Sequence, residues 1–401
     1  MGKGANRNKY CRCGSGKKIK NCGCKLAVLD MYFPNGRTID LGNGYKIHML
    51  GAYSSDEYNE LDNEERKYAP FYNVEQIHRI LKPSNAADIL LKKQADSIVN
   101  NMRVFRVFYD KYNRTENWNY DQVIDSSVFK LFNIMNLDEH LESEIQNIPC
   151  GLTYDSDPNG CCIKTEYGNI ITISAVLQRF LYYMNLFYLG CRDKRIPGDV
   201  TVNALVLAIR IMLKAEALDF ELDPRGEVPQ TIDDELSSYT LSEMFFVIAH
   251  EYSHSLLKHL DSRNIIEDED NYVYYNQSQR QEFEADKNAI HILKNSMSVE
   301  DAVESAVSFF LAIDLYEQAK EQISPDMGHV KTHPKAVERI RELLKQYPDV
   351  DIDTERLIAI NQDTKAHLME LISTEYELFE NYGSVYLGQW HKKRKIDRVD
   401  Y

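Results

Sequence analysis

The chain has 401 residues, a formal net charge of −15 at pH 7 and a hydrophobic fraction of 43%. This length is typical of two or three domains, and the hydrophobic fraction is sufficient for a sizeable core. The acidic charge argues against nucleic-acid binding by the body of the protein. The longest apolar stretches, near residues 202–213 and 241–249, are too short or carry a charged residue, so no membrane span is expected.

The N-terminal residues and the cysteine usage favour a cytoplasmic location. The N-terminus lacks the apolar segment of a secretory signal peptide. The chain has eight cysteines, and four of them form a metal-like cluster, as expected for thiols that stay reduced in the cytoplasm.

The first 25 residues form a basic segment that contains this cluster, with eight Lys or Arg and no Asp or Glu. Four thiolates at this spacing can close a tetrahedral zinc site, which predicts a structural zinc held by Cys11, Cys13, Cys22 and Cys24. Few apolar residues are present, so the bound metal would have to supply the folding energy. The alternative is a basic tail with redox-sensitive thiols.

This segment resembles the SEC-C motif, a small zinc module found at the C-terminus of bacterial SecA translocases and at the ends of many other proteins. The resemblance covers about 20 residues and rests on the pattern Cys-x-Cys-Gly-Ser-Gly-Lys-Lys-x-Lys-x-Cys. It implies a module that recruits a protein or ribosomal partner. The usual pattern puts the fourth ligand directly after the third, where this chain has Gly23, and Cys24 is interpreted as the substitute.

The region from residue 26 to residue 150 carries little recognisable chemistry. Its pattern predicts a β-like start at residues 26–33 and 38–50, then an acidic loop at 54–66 and helices at 73–81, 85–100 and 127–148.

A turn-rich segment at residues 151–160 opens the next region. Alternating residues then predict a hairpin with strands at 161–165 and 169–174. Apolar helices follow at 175–190 and 200–218, and a linker at 223–234 leads into the helix that carries the main motif.

Residues 250–254 spell His-Glu-x-x-His. On a helix, positions i and i+4 share one face, so His250 and His254 can both direct a ring nitrogen at one metal ion. Glu251 lies beside that face, where it can act as the general base on a metal-bound water. The competing interpretation is an amphipathic helix with surface histidines.

The helix that carries this motif is predicted to begin near Thr240, because Thr240-x-x-Glu243 fits a capping box. A stripe at three- and four-residue steps predicts one core-facing side, with the histidines at its edge. The stripe consists of Met244, Phe245, Ile248, Tyr252, Leu256 and Leu260.

A second helix, predicted at about residues 278–293, supplies acidic candidates. A catalytic zinc site needs three protein ligands and an open fourth position, and Glu282 is assigned as the third ligand. Asp286, one turn later, can accept the spare N–H of a ligand histidine. Glu284 is the alternative ligand, but only Glu282 has an aspartate four residues on. His259, five residues after His254, is expected to point away from the metal.

Helical patterns complete the chain at residues 299–323 and 334–346 and as a pair within 354–382. The predicted fold is mainly α with a small β-sheet (α+β). The predicted segments are a zinc module at 1–25, an uncharacterised region at 26–150, a zincin-like peptidase domain at 151–350 and a helical extension at 351–401.

Residues 240–345 resemble the gluzincin metallopeptidases of the HtpX and CAAX-prenyl-protease type. The resemblance rests on His-Glu-x-x-His, on Glu-Phe-Glu-Ala-Asp and on a third piece, Thr-His-Pro-x-x-x-x-Arg-Ile at 332–340. It implies zinc ligands at His250, His254 and Glu282, a base at Glu251 and a supporting Asp286. It also maps His333 and Arg339 to a loop near the active site, where His333 is either structural or a donor to the oxyanion.

Two features differ from that family. The 28 positions between His254 and Glu282 are a shorter separation than in most members, and the membrane spans of its best-known members are absent. Short-spaced relatives without membrane spans include the Lit-type phage-exclusion peptidases, so a regulatory or host-defence role is considered.

The sequence therefore predicts a zinc-dependent endopeptidase that acts on a cytoplasmic protein or peptide, with one catalytic and one structural zinc. Strand 169–174 is expected to pair with extended substrate. The alternative is a non-enzymatic, metal-stabilised adaptor. Glu251 argues against it, because a structural zinc needs no base.

Two separate motifs predict two zinc ions per chain. Elemental analysis of the intact, tag-free protein should give two equivalents, and deletion of residues 1–25 should leave one. The Cys24→Ser variant should match the deletion, whereas Ser15→Ala should keep both ions. A single equivalent that survives the loss of His250 would contradict the catalytic centre.

Overall fold

A computed structural model describes residues 10, 17, 18, 21, 37–40, 46–49, 60–69, 71–72, 74–101, 137, 139–155, 158–218, 220, 223–261, 265–267, 273–275, 279–324, 334–379 and 383–391. The chain divides into two compact units, residues 1–125 with 218–224 and 393–401, and residues 126–217 with 225–392. The predicted division into four segments is finer and stays a prediction. The predicted ligands Cys11, Cys13, Cys22 and Cys24, and His333, lie outside the described residues.

The first unit contains a hairpin and three helices in its described part. The antiparallel strands are β1 (Arg37–Asp40) and β2 (Lys46–Met49), and the helices are α1 (Glu65–Tyr68), α2 (Val74–Leu81) and α3 (Ala86–Val99). Asn85 caps α3 by accepting a hydrogen bond from the backbone N–H of Asp88. The buried carboxylate of Asp88 also binds Arg79, which attaches α2 to α3.

The second unit contains a mixed sheet. A short helix α4 (Glu139–Ile145) precedes strands β3 (Cys150–Thr153), β4 (Gly160–Thr165), β5 (Gly168–Ser174), β6 (Ile265–Glu267) and β7 (Val273–Tyr275). The strand order is β3-β5-β4-β7-β6, and only β3 and β5 are parallel. The predicted hairpin is present as β4 and β5. Gly168 has a φ of 120° at its turn, a conformation that favours glycine.

The expectation that residues 169–174 pair with substrate is wrong. These residues lie in β5, which pairs with β4 at residues 168–173 and with β3 at residues 171–174, so β5 is an interior strand of the sheet. β4 pairs with β7 at Lys164.

Seven further helices make the second unit mainly helical in its described part. They are α5 (Ala175–Gly190), α6 (Gly198–Met212), α7 (Gln230–Leu256), α8 (Gln279–Leu293), α9 (Val299–Ile323), α10 (Ala336–Gln346) and α11 (Thr354–Thr374). The predicted fold class, mainly α with a small sheet, is confirmed. In the described part, no helix is both long enough and apolar enough to cross a bilayer.

The end of α6 and the C-terminal helical pair differ from prediction. Helix α6 ends at Met212 and not at residue 218, because Lys214 adopts a φ of 60° and turns the chain. The predicted C-terminal pair is one helix, α11, followed by a 3-10 turn at Tyr376–Phe379.

Helix α7 begins at Gln230, directly after Pro229 and ten residues before the predicted start at Thr240. The proposed capping box is wrong, because Thr240 and Glu243 lie inside the helix. The Glu243 carboxylate instead accepts a hydrogen bond of 2.7 Å from Asn185 on α5, and burial raises its pKa to about 8.

The predicted one-sided stripe of α7 is also wrong, since every residue from 243 to 254 is buried. The helix packs against α5, α8, α9, β4 and β5. A helix that neighbours surround in this way is a central element of a core, and not a surface helix.

Arg210, Glu216 and Arg225 form a buried ion-pair triad in this unit. The Glu216 carboxylate accepts hydrogen bonds from Nε of Arg210 at 2.8 Å and from Nε of Arg225 at 3.0 Å. Arg210 also donates to the carbonyl oxygens of Leu378 and Gly383. The triad therefore holds the segment after α11 against α6.

The Glu216→Gln substitution should destabilise the fold by about 3–5 kcal/mol, because it leaves two buried guanidinium groups without their counter-charge. Urea unfolding of the full chain measures this change. Glu355→Gln is the control, since Glu355 is an exposed partner of Arg341 and its loss should cost within about 1 kcal/mol. Equal unfolding midpoints for the two variants would contradict the structural role of the triad.

Candidate metal centre

Helices α7 and α8 pack side by side and bring three potential ligands together. His250 and His254 project from α7, and Glu282 projects from the first turn of α8. The two histidine Nε2 atoms are 3.0 Å apart, and the Glu282 oxygens lie 3.6 Å from Nε2 of His250 and 3.5 Å from Nε2 of His254. All three side chains are buried.

This donor set fits zinc. A zinc ion about 2.0–2.1 Å from each ligand atom in tetrahedral geometry puts those atoms about 3.3 Å apart. The observed separations of 3.0 to 3.6 Å bracket this value. Two imidazole lone pairs that face each other at 3.0 Å repel unless a proton or a cation lies between them. The arrangement is therefore suited to two histidines and one carboxylate holding a metal.

Asp286 supports His250 from behind. Its Oδ1 lies 2.9 Å from Nδ1 of His250, the ring nitrogen on the side opposite the metal-facing Nε2. Such a contact fixes the ring orientation and keeps the proton on Nδ1. The structure thus places Asp286 where the predicted supporting role requires it.

Arg339 on α10 binds Asp286 through two parallel hydrogen bonds, at 2.8 and 2.5 Å. Its guanidinium also lies 3.4 Å from Glu282 and 4.4 Å from the ring centroid of Phe310 on α9. Burial opposes ionisation of Asp286, but Arg339 outweighs it and holds the pKa of this carboxyl below its ordinary value. The Arg339 guanidinium therefore interacts with both buried carboxylates, those of Asp286 and Glu282.

The two histidines differ in proton affinity in the metal-free protein. Burial on its own lowers the pKa of His250, but hydrogen bonds to Asp286 and Glu282 outweigh it and raise the pKa to about 9. Burial holds the pKa of His254 well below its ordinary value, and the neighbouring His250 lowers it further. A proton on His250 therefore competes with a metal for this site.

The expectation that His259 points away from the metal is wrong. Helix α7 ends at Leu256, and Lys258 adopts a φ of 58°, so the chain folds back over the last helical turn. His259 is buried, and its Nδ1 lies 2.9 Å from Nδ1 of His254. Sequence reasoning missed this contact because it continued helical geometry past residue 256.

Glu284, the alternative third ligand, does not join the cluster. Its Oε2 lies 3.3 Å from Nε2 of His259, and its Oε1 accepts a hydrogen bond from Arg280 at 2.8 Å. Glu282 is fully buried beside both ligand histidines, whereas the Glu284 side chain is 44% exposed. The geometry therefore favours Glu282 for the ligand position.

Glu251 and His250 share the wall of a cavity of about 110 Å³. The apolar part of its lining includes Leu177, Phe246, Val247, Phe309, Phe310 and Ile313. Gly160, at the start of β4, also lines the cavity, and a Cβ atom there would lie 3.1 Å from Oε1 of Glu251. The proposed base thus lies between the ligand helix and the edge of β4.

Gly160 and the phenylalanines of α9 are further residues that sequence reasoning missed. The turn-rich segment ahead of β4 was the only signal near Gly160, and it gave no indication of the approach to Glu251. Of the third motif, Arg339 joins the centre and Pro334 lines the cavity, while His333 and the four N-terminal cysteines lie outside the described residues.

Comparison with known proteins agrees with a peptidase. The sequence model of the family Peptidase U49 matches residues 224–358, about a third of the chain. This stretch contains the motif on α7, the motif on α8 and Arg339. The match supports a peptidase activity in general and carries no information on metal dependence. No curated protein and no solved structure matches the chain.

The Asp286→Ala substitution should weaken zinc binding by about 10- to 100-fold without removing a ligand, because His250 loses the acceptor that orients it. Competition with a chromophoric chelator measures the affinity. Asp351→Ala, at an exposed position, is the control. If both variants bind zinc as the unsubstituted protein does, Asp286 serves only as the ion-pair partner of Arg339.

Proposed function

We propose that the protein is a zinc-dependent endopeptidase that acts on a protein substrate in the cytoplasm. The observation that carries this proposal is the convergence of His250, His254 and Glu282 beside Glu251 at the wall of a cavity. The match of residues 224–358 to a peptidase family supports the reaction class. A purely structural metal site would have no use for a carboxylate base facing a cavity.

His250, His254 and Glu282 would hold the metal in this proposal. A bound zinc ion supplies Lewis acidity, which acidifies water and polarises a peptide carbonyl. Glu251 accepts the proton of the attacking water and returns it to the nitrogen of the leaving amine. Its surroundings suit that task, because Gly160 approaches closely and the side chain is mostly buried.

The start of β4 lies beside the proposed base, at the wall of the cavity. Gly160 has no side chain, so the backbone of β4 can approach Glu251 closely at this point. The Gly160 N–H donates a hydrogen bond of 2.9 Å to Oδ1 of Asn159, which helps to hold the backbone here.

The cavity indicates which side chain lies beside the scissile bond. Its wall is formed largely by aromatic and aliphatic groups, which favour an apolar side chain. Its volume of about 110 Å³ is below the roughly 150 Å³ of an engineered cavity that accepts benzene. We therefore propose that Val, Leu or Ile is preferred there over an aromatic residue.

The N-terminal segment has a separate task in this proposal. Cys11, Cys13, Cys22 and Cys24 would hold a structural zinc, and the basic module would recruit the substrate or a protein or ribosomal partner. A regulatory or phage-defence role rests on the resemblance to the short-spaced peptidases.

The Glu251→Gln substitution should lower turnover of a peptide by about 10²- to 10⁴-fold, the usual contribution of a positioned general base. Zinc content and thermal stability should stay unchanged, because the amide keeps the shape of the side chain. Fluorescence-quenched peptides with Leu on either side of the cleaved bond are suitable substrates.

Glu342→Gln is the matched control, because it makes the same chemical change at an exposed position on α10. Full activity in the Glu251→Gln protein, or activity that survives removal of zinc by a chelator, would contradict the proposed chemistry.

A further inference from the structure

We propose that His259, oriented by Glu284, is a positioning residue for the metal ligand His254. The proposal rests on the proposed function only in taking His254 as a ligand. It assigns a role to His259, which lies outside the three motifs, and a new role to Glu284 of the second motif.

The contact between the rings of His254 and His259 is close and buried. The Nδ1 atoms of His254 and His259 are 2.9 Å apart, and both side chains are buried. The ring centroids lie 5.1 Å apart with an interplanar angle of 63°, so the rings meet edge to face. Two Nδ1 atoms at this separation require that one donates and the other accepts.

The ligand role decides which ring donates. A metal needs the lone pair of Nε2 of His254, so the proton of that neutral ring lies on Nδ1. Nδ1 of His254 then donates, and Nδ1 of His259 accepts. The proton of the neutral His259 ring therefore lies on Nε2, which faces the Glu284 carboxylate at 3.3 Å. The same tautomer assignment therefore satisfies three conditions. Nε2–H of His259 faces Glu284, Nδ1–H of His254 donates to His259, and Nε2 of His254 keeps its lone pair for the metal.

The backbone holds His259 in this position. Lys258 has a φ of 58°, and the following residues His259–Asp261 form a 3-10 turn in which Leu260 is buried. On the other side, Arg280 binds Glu284 at 2.8 Å. Because Glu284 is half-exposed, its charge is screened, and we assign the larger share of the positioning to the buried His259 ring.

The two ligand histidines are therefore supported differently. His250 has a fully buried carboxylate behind it, Asp286, which Arg339 holds in place. His254 has a neutral ring behind it. A neutral acceptor fixes the tautomer and the ring plane of His254 without adding another buried negative charge beside Glu282.

Zinc affinity of the full chain tests the proposal, with His259→Phe and His259→Asn compared by chelator competition. Phenylalanine keeps a ring of similar shape but cannot accept a hydrogen bond, so we expect about 10- to 100-fold weaker binding. The side-chain oxygen of asparagine can take the place of Nδ1, so this variant should recover most of the affinity. His291→Phe, which changes an exposed histidine on α8, should bind as the unsubstituted protein does.

Two spectroscopic readouts separate positioning from packing. With Co²⁺ in place of zinc, His259→Phe should shift the visible absorption bands, whereas His291→Phe should not. Nitrogen NMR of the zinc-loaded, unsubstituted chain should show the proton of His254 on Nδ1 and that of His259 on Nε2. The NMR measurement does not depend on whether any variant folds.

The outcomes distinguish the two proposals. If the unsubstituted chain binds no zinc at residues 250–282, the proposed function fails and this inference fails with it. If it binds zinc and His259→Phe binds equally well, with unchanged Co²⁺ bands, only the positioning role is overturned. The opposite tautomer of His254 in the zinc-loaded chain would also overturn it.

Discussion

The paired hydrogen bonds between Arg339 and Asp286 are the interaction on which the geometry of the centre depends. Both groups are buried, and charges in a dry interior are tolerated only when each has a well-placed partner. Arg339 meets this condition for Asp286 and approaches Glu282, while its flat face lies on Phe310. Three helices, α8, α9 and α10, thus converge on one guanidinium, and the candidate ligands His250 and His254 on α7 face that assembly.

Helix α7 supplies the other half of the centre, and its residues from 243 to 254 are all buried. Its neighbours fix its rotation and its translation, so His250 and His254 are presented in one orientation. A metal site needs ligand atoms placed to within about half an ångström, and helices in a packed core achieve this better than loops. The buried triad around Glu216 supports α7 indirectly. It attaches the C-terminal segment to α6, and α6 packs on α5 beside α7.

The start of β4 and the cavity both adjoin Glu251. The start of β4 approaches the carboxylate at Gly160, where an added Cβ would lie 3.1 Å from it. Phe309 and Phe310 of α9 also line the cavity. The Glu251 carboxylate, the start of β4 and an apolar pocket are therefore neighbours.

The sequence by itself determined the local features: the helical spacing of His250 and His254, the hairpin of β4 and β5, and the mainly helical class. These follow from periods of two and 3.6 residues, which act over a few positions. It did not reveal the start of α7, the interior place of β5, the approach of Gly160 or the contact of His259 with His254. Those were decided by the tertiary structure, because each depends on residues from separate elements that meet only when the core packs. His259 shows the reason most plainly. One left-handed residue at Lys258 changes the direction of the chain, and no helical pattern in the sequence predicts that change.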